Sequence, residues 1–186
     1  SSSSSSSSSS KHNPRSIFSR VDGVSSFFVR DYTHVDRRVT AGLTAELSRT
    51  DWDVLVLHYL GVDHIGHLQG PHSALMPGKL AEMDRVVRTV HQHLLADPAS
   101  PPTLLVLVSD HGMTEQGNHG GSSPSETGTV LMFVSGPQLP LRRPTSLHAS
   151  AASALAPYAI VSQRDIVPTL AVLLGTPIPL NSRGTL

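Results

Sequence analysis

Two stretches of the chain, Val54–His67 (VLVLHYLGVDHIGH) and Leu104–Met113 (LLVLVSDHGM), decide how its 186 residues fold. In each stretch a short apolar run, residues 54–59 in the first and 104–108 in the second, is followed by Asp and His residues. Runs that are apolar at nearly every position favour strands buried on both faces, as in a parallel sheet. Functional side chains in such sheets collect just beyond the carboxyl ends of the strands. We therefore predict an α/β layered domain, with a mostly parallel sheet flanked by helices.

Other segments show the periodicity of helices and strands. A four-residue apolar period predicts a helix over residues 33–48 with Thr33 as its N-cap. Apolar residues that fall on one face, Leu80 among them, predict a second helix over residues 75–95. The remaining predictions are a strand over 25–30, a strand over 130–135, a mobile loop over 137–160 and a helix over 166–174 with Asp165 as its cap.

The composition excludes several classes of protein. Lys plus Arg and Asp plus Glu each number 14, so the formal net charge is zero, whereas a nucleic-acid-binding domain normally carries a strong positive excess. No apolar run approaches the roughly 20 residues of a membrane-spanning helix. The absence of Cys excludes a disulfide scaffold and a Cys nucleophile. Because the chain begins with ten Ser residues, we predict a disordered tail over 1–16 and a folded domain over 17–186.

Residue types that bind metals cluster after the predicted strands. Asp63 and His67 follow the first strand, Asp110 and His111 follow the second, and His119 comes soon after, between glycines. Carboxylates and imidazoles are ligands of zinc and similar divalent ions, and a bound ion would offset the cost of gathering these ionisable groups. Either Asp-His cluster alone is equally well explained as a turn in which Asp caps a helix. The two clusters together with His119 favour a metal site.

The motifs of these clusters resemble those of a known superfamily. Asp63-x-x-x-His67, Ser109-Asp110-His111-Gly112-Met113 and Gly117-x-His119-Gly120-Gly121 are similar to the metal-site motifs of the alkaline phosphatase superfamily. Within it, the stretch His58–His67 with Gly70-Pro71 and Lys79-Leu80-x-Glu82-Met83-Asp84 resembles the GPI ethanolamine phosphate transferases. The resemblance covers the chain from about Phe18 to Leu186 and implies an alkaline-phosphatase-like layered domain whose N-terminal part is missing.

The resemblance implies a set of metal ligands. Members of the family hold two divalent ions, which would be zinc or manganese here. By resemblance, Asp63, His67 and His119 match the ligands of one ion, while Asp110 and His111 match two ligands of the other. The Thr nucleophile and the remaining Asp ligand of the family are not recognised in this sequence. We therefore assign no catalytic nucleophile and expect the isolated chain to be inactive.

The resemblance also implies a reaction and a location. The family transfers phosphoethanolamine from phosphatidylethanolamine to a mannose of the GPI anchor precursor, and here the second mannose is the expected acceptor. The catalytic domain would face the lumen of the endoplasmic reticulum. It would be attached to the membrane through a transmembrane region outside this chain, with a membrane subunit as a possible stabilising partner. No nucleic-acid partner is expected.

Two alternative functions stay open. The chain could belong to a metal-dependent phosphodiesterase or phosphatase of the same superfamily, which releases its product to water. It could also be a non-catalytic, truncated product that keeps part of a metal site. His64 is ambiguous as well, because its position beside Asp63 would let it orient a metal ligand without binding the ion itself.

Overall fold

The computed structural model describes residues 18–23, 28, 30–96, 101–135 and 160–186. They fall into two compact units, residues 1–141 and 142–186, and each unit is described by itself. The predicted tail over 1–16 lies outside the described residues, and so does most of the strand predicted over 25–30 and of the loop predicted over 137–160.

The described residues of the first unit form four helices and two strands. The elements are α1 (His34–Leu47), α2 (Gly61–Gln69), α3 (Met76–Ala96), β1 (Leu104–Val108), α4 (Pro124–Thr127) and β2 (Leu131–Ser135). The helices predicted over 33–48 and 75–95 are confirmed to within a residue or two. None of the described helices is long and apolar enough to cross a membrane.

The cap of α1 differs from the prediction. Thr33 is the residue before the helix, but its side chain makes no capping hydrogen bond. The carboxylate of Asp31 accepts the backbone N–H groups of Thr33 and His34 instead, at 3.2 and 2.7 Å. The first N–H groups of a helix lack partners inside the helix, so an acceptor two or three residues upstream satisfies them equally well. Donation from His34 and Thr33 holds the pKa of Asp31 below its ordinary value.

The two strands pair antiparallel, so the predicted parallel arrangement does not hold for them. Leu104 lies opposite Ser135, and Val108 lies opposite Leu131. After β1 the chain turns back on itself, because Ser109 donates its N–H to the carbonyl of Val130 and accepts the N–H of Val130 on its hydroxyl. These contacts close residues 109–130 into one long hairpin connection, which brings the second strand back in the opposite direction.

No strand is formed over residues 54–59, where the sequence predicted a buried one. Leu55, Leu57 and Tyr59 pack against the core, whereas Val54 and Val56 are 61% and 67% exposed. Burial thus alternates with a period of two, as in a half-exposed extended segment. A strand also needs a hydrogen-bonded neighbour, and the described residues provide none for this segment.

The core of the first unit lies between α1 and α3. Leu43 and Leu47 of α1 pack against Val86 and Val90 of α3, and all four are buried. The predicted apolar face of α3 is wrong at one point, since Leu80 is 52% exposed while its neighbour Lys79 is buried. The ammonium group of Lys79 is buried because it pairs with the carboxylate of Asp36 on α1.

The second unit contains a short 3-10 helix, Gln163–Asp165, which continues into α5 (Ile166–Leu173). The helix predicted over 166–174 is therefore confirmed. Asp165 precedes it but does not cap it by a side-chain hydrogen bond, because its carboxylate accepts the backbone N–H of Thr185 at 2.8 Å. Gly175 follows the helix with a positive φ of 66°, a conformation that favours glycine.

Candidate metal centre

Helix α2 places Asp63 and His67 on one face. The two residues are four apart, so their side chains lie one turn above the other. The Nε2 atom of His67 is 3.3 Å from Oδ2 of Asp63, and about a quarter of each side chain is exposed. A carboxylate and an imidazole thus meet at a partly open surface of the helix.

A tight turn brings His119 to the same point. Gly117 donates its N–H to the carbonyl of Thr114, and Thr114 donates its N–H to the carbonyl of Asn118. Gly117 has a positive φ of 77°, and a Cβ atom at this position would lie only 2.2 Å from the carbonyl oxygen of Gly66 on α2. Only glycine fits such a position, because the turn and the helix touch through their backbones.

Three ligand atoms converge as a result. The Nε2 atom of His119 lies 3.1 Å from Nε2 of His67 and 3.7 Å from Oδ1 of Asp63. Among the described residues, this is the one group of three or more potential ligands whose atoms all lie within 4.8 Å of one another. Two ligands of a tetrahedral zinc ion lie about 3.3 Å apart, given Zn–N and Zn–O distances near 2.0–2.1 Å. The observed separations are close to that value.

The hydrogen bonds at this group leave room for a cation. Nδ1 of His67 lies 2.7 Å from the carbonyl oxygen of Gly117. Because a carbonyl can only accept, Nδ1 carries the proton, and the lone pair of Nε2 points toward Asp63 and His119. Oδ1 of Asp63 is buried and has no hydrogen-bond partner in the described part of the chain. The lone pair on Nε2 of His67 and the unpaired Oδ1 of Asp63 are two ligand atoms that a divalent cation would bind.

Asp110 and His111 lie beside this group at the end of β1. The ring of His111 stacks on the ring of His119, with the centroids 3.7 Å apart and the planes tilted by 20°. Nδ1 of His111 lies 2.9 Å from the carbonyl of Gly112, and its Nε2 is 3.5 Å from Oδ2 of Asp110. The side chain of Asp110 is 80% exposed. Both residues therefore adjoin the Asp63-His67-His119 group without joining it.

His64 faces another part of the molecule. It is buried, and its Nδ1 lies 2.8 Å from the backbone carbonyl of Asp31, just before α1. That carbonyl can only accept, so the ring donates to it. His64 thereby connects α2 to the segment that precedes α1, and this hydrogen bond of its ring does not involve Asp63 or His67.

Glu126 also belongs to this region, although none of the metal-site motifs includes it. Its carboxylate accepts the N–H of Gly121 at 2.9 Å and the hydroxyl of Ser123 at 2.5 Å, which ties the loop after His119 to α4. Ser123 and Glu126 form a capping box at the start of that helix. The pattern Ser-x-x-Glu is the sequence signal by which this contact could have been found.

The contacts of Glu126 predict a change of stability with pH. Donation by the Ser123 hydroxyl first, and by the Gly121 N–H next, holds the pKa of Glu126 below its ordinary value of 4.5. A lowered pKa in the folded state stabilises the fold above the ordinary pKa, and this stabilisation is lost as the pH falls through the lowered value. We therefore expect the melting temperature of the metal-free chain to exceed that of Glu126→Gln at pH 6, and the difference to shrink below about pH 4.5.

Calorimetry of both proteins between pH 6 and pH 3.5 measures this difference. Glu115→Gln is the matched control, because the side chain of Glu115 is 70% exposed and its ion-pair partner, His72, is exposed as well. Its difference from the parent chain should stay nearly constant over the same range. A constant difference for Glu126→Gln would contradict the assigned role.

Comparison with known proteins identifies the family. The model of the family described as type I phosphodiesterase / nucleotide pyrophosphatase matches residues 5–122, which is more than half of the chain. This range includes every residue of the candidate metal centre. No solved structure matches the chain.

Three relatives illustrate the similarity. Proteins named GPI ethanolamine phosphate transferase 2 from Aspergillus fumigatus and Saccharomyces cerevisiae are 47% and 43% identical over 90% and 92% of the chain. The human protein named GPI ethanolamine phosphate transferase 2, catalytic subunit, is 46% identical over 91% of the chain. The chain spans only 22%, 22% and 16% of the lengths of these relatives. The chain belongs to the type I phosphodiesterase / nucleotide pyrophosphatase family of the alkaline phosphatase-like superfamily, and its relatives are named GPI ethanolamine phosphate transferase 2.

Proposed function

We propose that Asp63, His67 and His119 bind a divalent ion, zinc or manganese, at the active centre of a phosphoethanolamine transferase. The observation that carries this proposal is the convergence of two Nε2 atoms and a carboxylate within 4.8 Å. The buried Oδ1 of Asp63, which lacks a hydrogen-bond partner among the described residues, supports it further. Imidazole and carboxylate ligands suit zinc, and they also suit manganese.

Asp110 and His111 would contribute to a second ion beside the first. Hydrogen bonding of Nδ1 of His111 to the carbonyl of Gly112 leaves its Nε2 as the ligand atom, next to the exposed carboxylate of Asp110. A second ion so held needs further ligands from other residues of the whole protein. A pair of divalent ions stabilises the attacking and leaving oxygens when a phosphoryl group is transferred.

The names of the relatives support a transfer of ethanolamine phosphate in GPI synthesis, and the donor and acceptor that we propose come from the resemblance of the motifs. Phosphoethanolamine would pass from phosphatidylethanolamine to a mannose of the GPI anchor precursor, with the second mannose as the acceptor. In the net reaction the bond between phosphorus and the diacylglycerol oxygen breaks, a bond between phosphorus and the mannose oxygen forms, and the proton of the mannose hydroxyl ends on the released diacylglycerol. We assign the nucleophile to no residue of this chain. The whole protein would act at the lumenal side of the endoplasmic reticulum membrane, with a membrane subunit as a partner.

Hydrolysis is the second candidate function. The family whose model matches is named for phosphodiesterases. Enzymes of this kind transfer the phosphoryl group of a phosphodiester to water. The metal ligands of the two reactions would be the same, so the acceptor alone distinguishes them. Such an enzyme would release phosphoethanolamine or a related phosphate ester into solution.

A segment exchange tests the proposed function in a whole protein. The matched segment of the Saccharomyces cerevisiae relative, at 43% identity, would be replaced by this chain and expressed in cells that lack their own enzyme. We expect membranes with the chimera to transfer labelled phosphoethanolamine to the GPI precursor. The chimera with Asp63→Asn should transfer at less than about a hundredth of that rate, as expected when a metal ligand is lost.

The same assay separates the competing outcomes. Asp84→Asn is the matched control, because Asp84 is an exposed residue of α3 that pairs with Arg88. Label released to water in preference to the glycan would support the hydrolase instead. Full transfer by the Asp63→Asn chimera would contradict the proposed centre.

A further inference from the structure

A buried ion pair meets the start of α2, the helix that carries Asp63 and His67. Asp36 of α1 and Lys79 of α3 are 0% and 4% exposed, and the Lys79 ammonium lies 3.1 Å from Oδ2 of Asp36. The same ammonium also contacts Glu82, at 2.9 Å. Neither Asp36 nor Lys79 reaches the candidate metal ligands directly.

The carboxylate of Asp36 also accepts hydrogen bonds from α2. The N–H of Leu60 donates to Oδ1 at 2.9 Å, and the N–H of Gly61 donates to both oxygens at 3.1 Å. Residues at the start of a helix have N–H groups without partners inside it, and a negative charge there is favoured by the helix dipole. Asp36 therefore caps α2 from a different helix, 25 residues earlier in the chain.

The contact is tight enough to exclude other residues. A Cβ atom at position 61 would lie 2.2 Å from Oδ2 of Asp36 and 2.8 Å from Nζ of Lys79. Gly61 is therefore required for the backbone of α2 to approach the ion pair this closely. Asp63 follows only two residues later, so the position of the first turn of α2 decides where its carboxylate lies.

Stability alone does not account for this arrangement. Two charges lose their hydration when buried, and a buried ion pair is often no more stable than apolar residues of the same shape. Ligands of a metal, by contrast, must be held to within about 0.5 Å of their productive geometry. From these contacts we infer that Asp36 is a positioning residue, which sets the metal affinity of the centre by fixing the first turn of α2. The inference rests on the metal centre proposed above.

Two double variants separate positioning from stability. Both remove the ion pair by Lys79→Met, and they differ only in the acceptor at position 36. Asp36→Asn keeps an oxygen for the N–H groups of Leu60 and Gly61, whereas Asp36→Leu has a similar branched shape and no acceptor. We expect Asp36→Asn with Lys79→Met to bind zinc within about threefold of the parent chain. Asp36→Leu with Lys79→Met should bind it about 10–100-fold more weakly.

Zinc affinity is measured by competition with a chromophoric chelator, at a temperature where calorimetry shows each protein folded. Asp84→Leu with Arg88→Met removes an exposed ion pair of α3 and serves as the matched control, with unchanged affinity expected. Equal affinities of the two Asp36 variants would overturn the inference. Failure of the parent chain itself to bind zinc would instead refute the proposed metal centre.

Amide hydrogen exchange in the unaltered chain tests the inference without any substitution. If Asp36 couples the start of α2 to the metal centre, zinc should slow the exchange of the Leu60 and Gly61 amides by several-fold. Zinc binding and the hydrogen bonds of these amides to Asp36 would then stabilise each other. The amides at the middle of α3 provide the comparison. Unchanged exchange at Leu60 and Gly61 on saturation with zinc would contradict the assigned role, even if the double variants fail to fold.

Discussion

Asp63→Asn is expected to weaken the binding of zinc to the chain by at least about 100-fold. Residues that merely orient a metal ligand cost about 10–100-fold in affinity when they are replaced, and the loss of a charged ligand should cost no less. Asn keeps the size of Asp but removes the negative charge and replaces one oxygen by an amide nitrogen, which has no lone pair for the ion. The affinity is measured by competition with a chromophoric chelator.

The control for this experiment is Asp84→Asn. Asp84 is 66% exposed on α3 and pairs with Arg88 four residues later, so its loss should leave the affinity unchanged. His93→Ala, at an exposed position of the same helix, controls for the loss of an imidazole and should also leave the affinity unchanged. Equal zinc binding by the parent chain and by Asp63→Asn would show that the ion binds elsewhere.

Gly117→Ala is the second substitution with a large expected effect. The new Cβ atom would lie 2.2 Å from the carbonyl oxygen of Gly66, and φ at this residue is 77°, where residues other than glycine are strained. The turn must therefore move away from α2, and it takes both His119 and the carbonyl that orients His67 with it. We expect zinc affinity to fall about 10–100-fold although all three ligands remain in the chain.

Gly175→Ala separates backbone strain from this clash. Gly175 also has a positive φ, 66°, but a Cβ atom there would meet open space. This substitution should lower the melting temperature slightly and leave zinc affinity unchanged. A Gly117→Ala chain that binds zinc as tightly as the parent would show that the approach of the turn to α2 does not build the site.

The candidate ligands could be named from the sequence because short motifs carry them. Asp63 and His67 are four residues apart, so any helix over this stretch places them on the same face. Glycines on both sides of His119 indicated a sharp turn, and Gly117 indeed has a positive φ. That the turn folds back onto α2 could be expected only from the resemblance, since the contact joins positions 50 residues apart.

A local sequence pattern could not predict whether the strands pair parallel or antiparallel. Leu104–Val108 reads as a buried parallel strand because it is apolar throughout, yet it pairs antiparallel with Leu131–Ser135. The burial predicted for this strand is wrong as well, since Leu107 and Val108 are 36% and 48% exposed. The direction of pairing is set by how the connecting chain returns. Here the contacts between Ser109 and Val130 close that connection.

The burial of Lys79 shows a second limit. Helical periodicity assigned Leu80 to the core, but the helix is turned so that Lys79 points inward to Asp36. Asp36, the partner of Lys79, lies 43 residues away in the chain, and no local sequence pattern predicts this pair. The positioning contact inferred for α2 thus became visible only with the structure.

Anomalous diffraction from a crystal of the zinc-loaded chain, recorded on both sides of the zinc absorption edge, tests the metal centre most directly. We expect a strong peak about 2.0–2.2 Å from Nε2 of His67, Nε2 of His119 and a carboxylate oxygen of Asp63. A peak found only at exposed histidines such as His72, with none at these three residues, would contradict it.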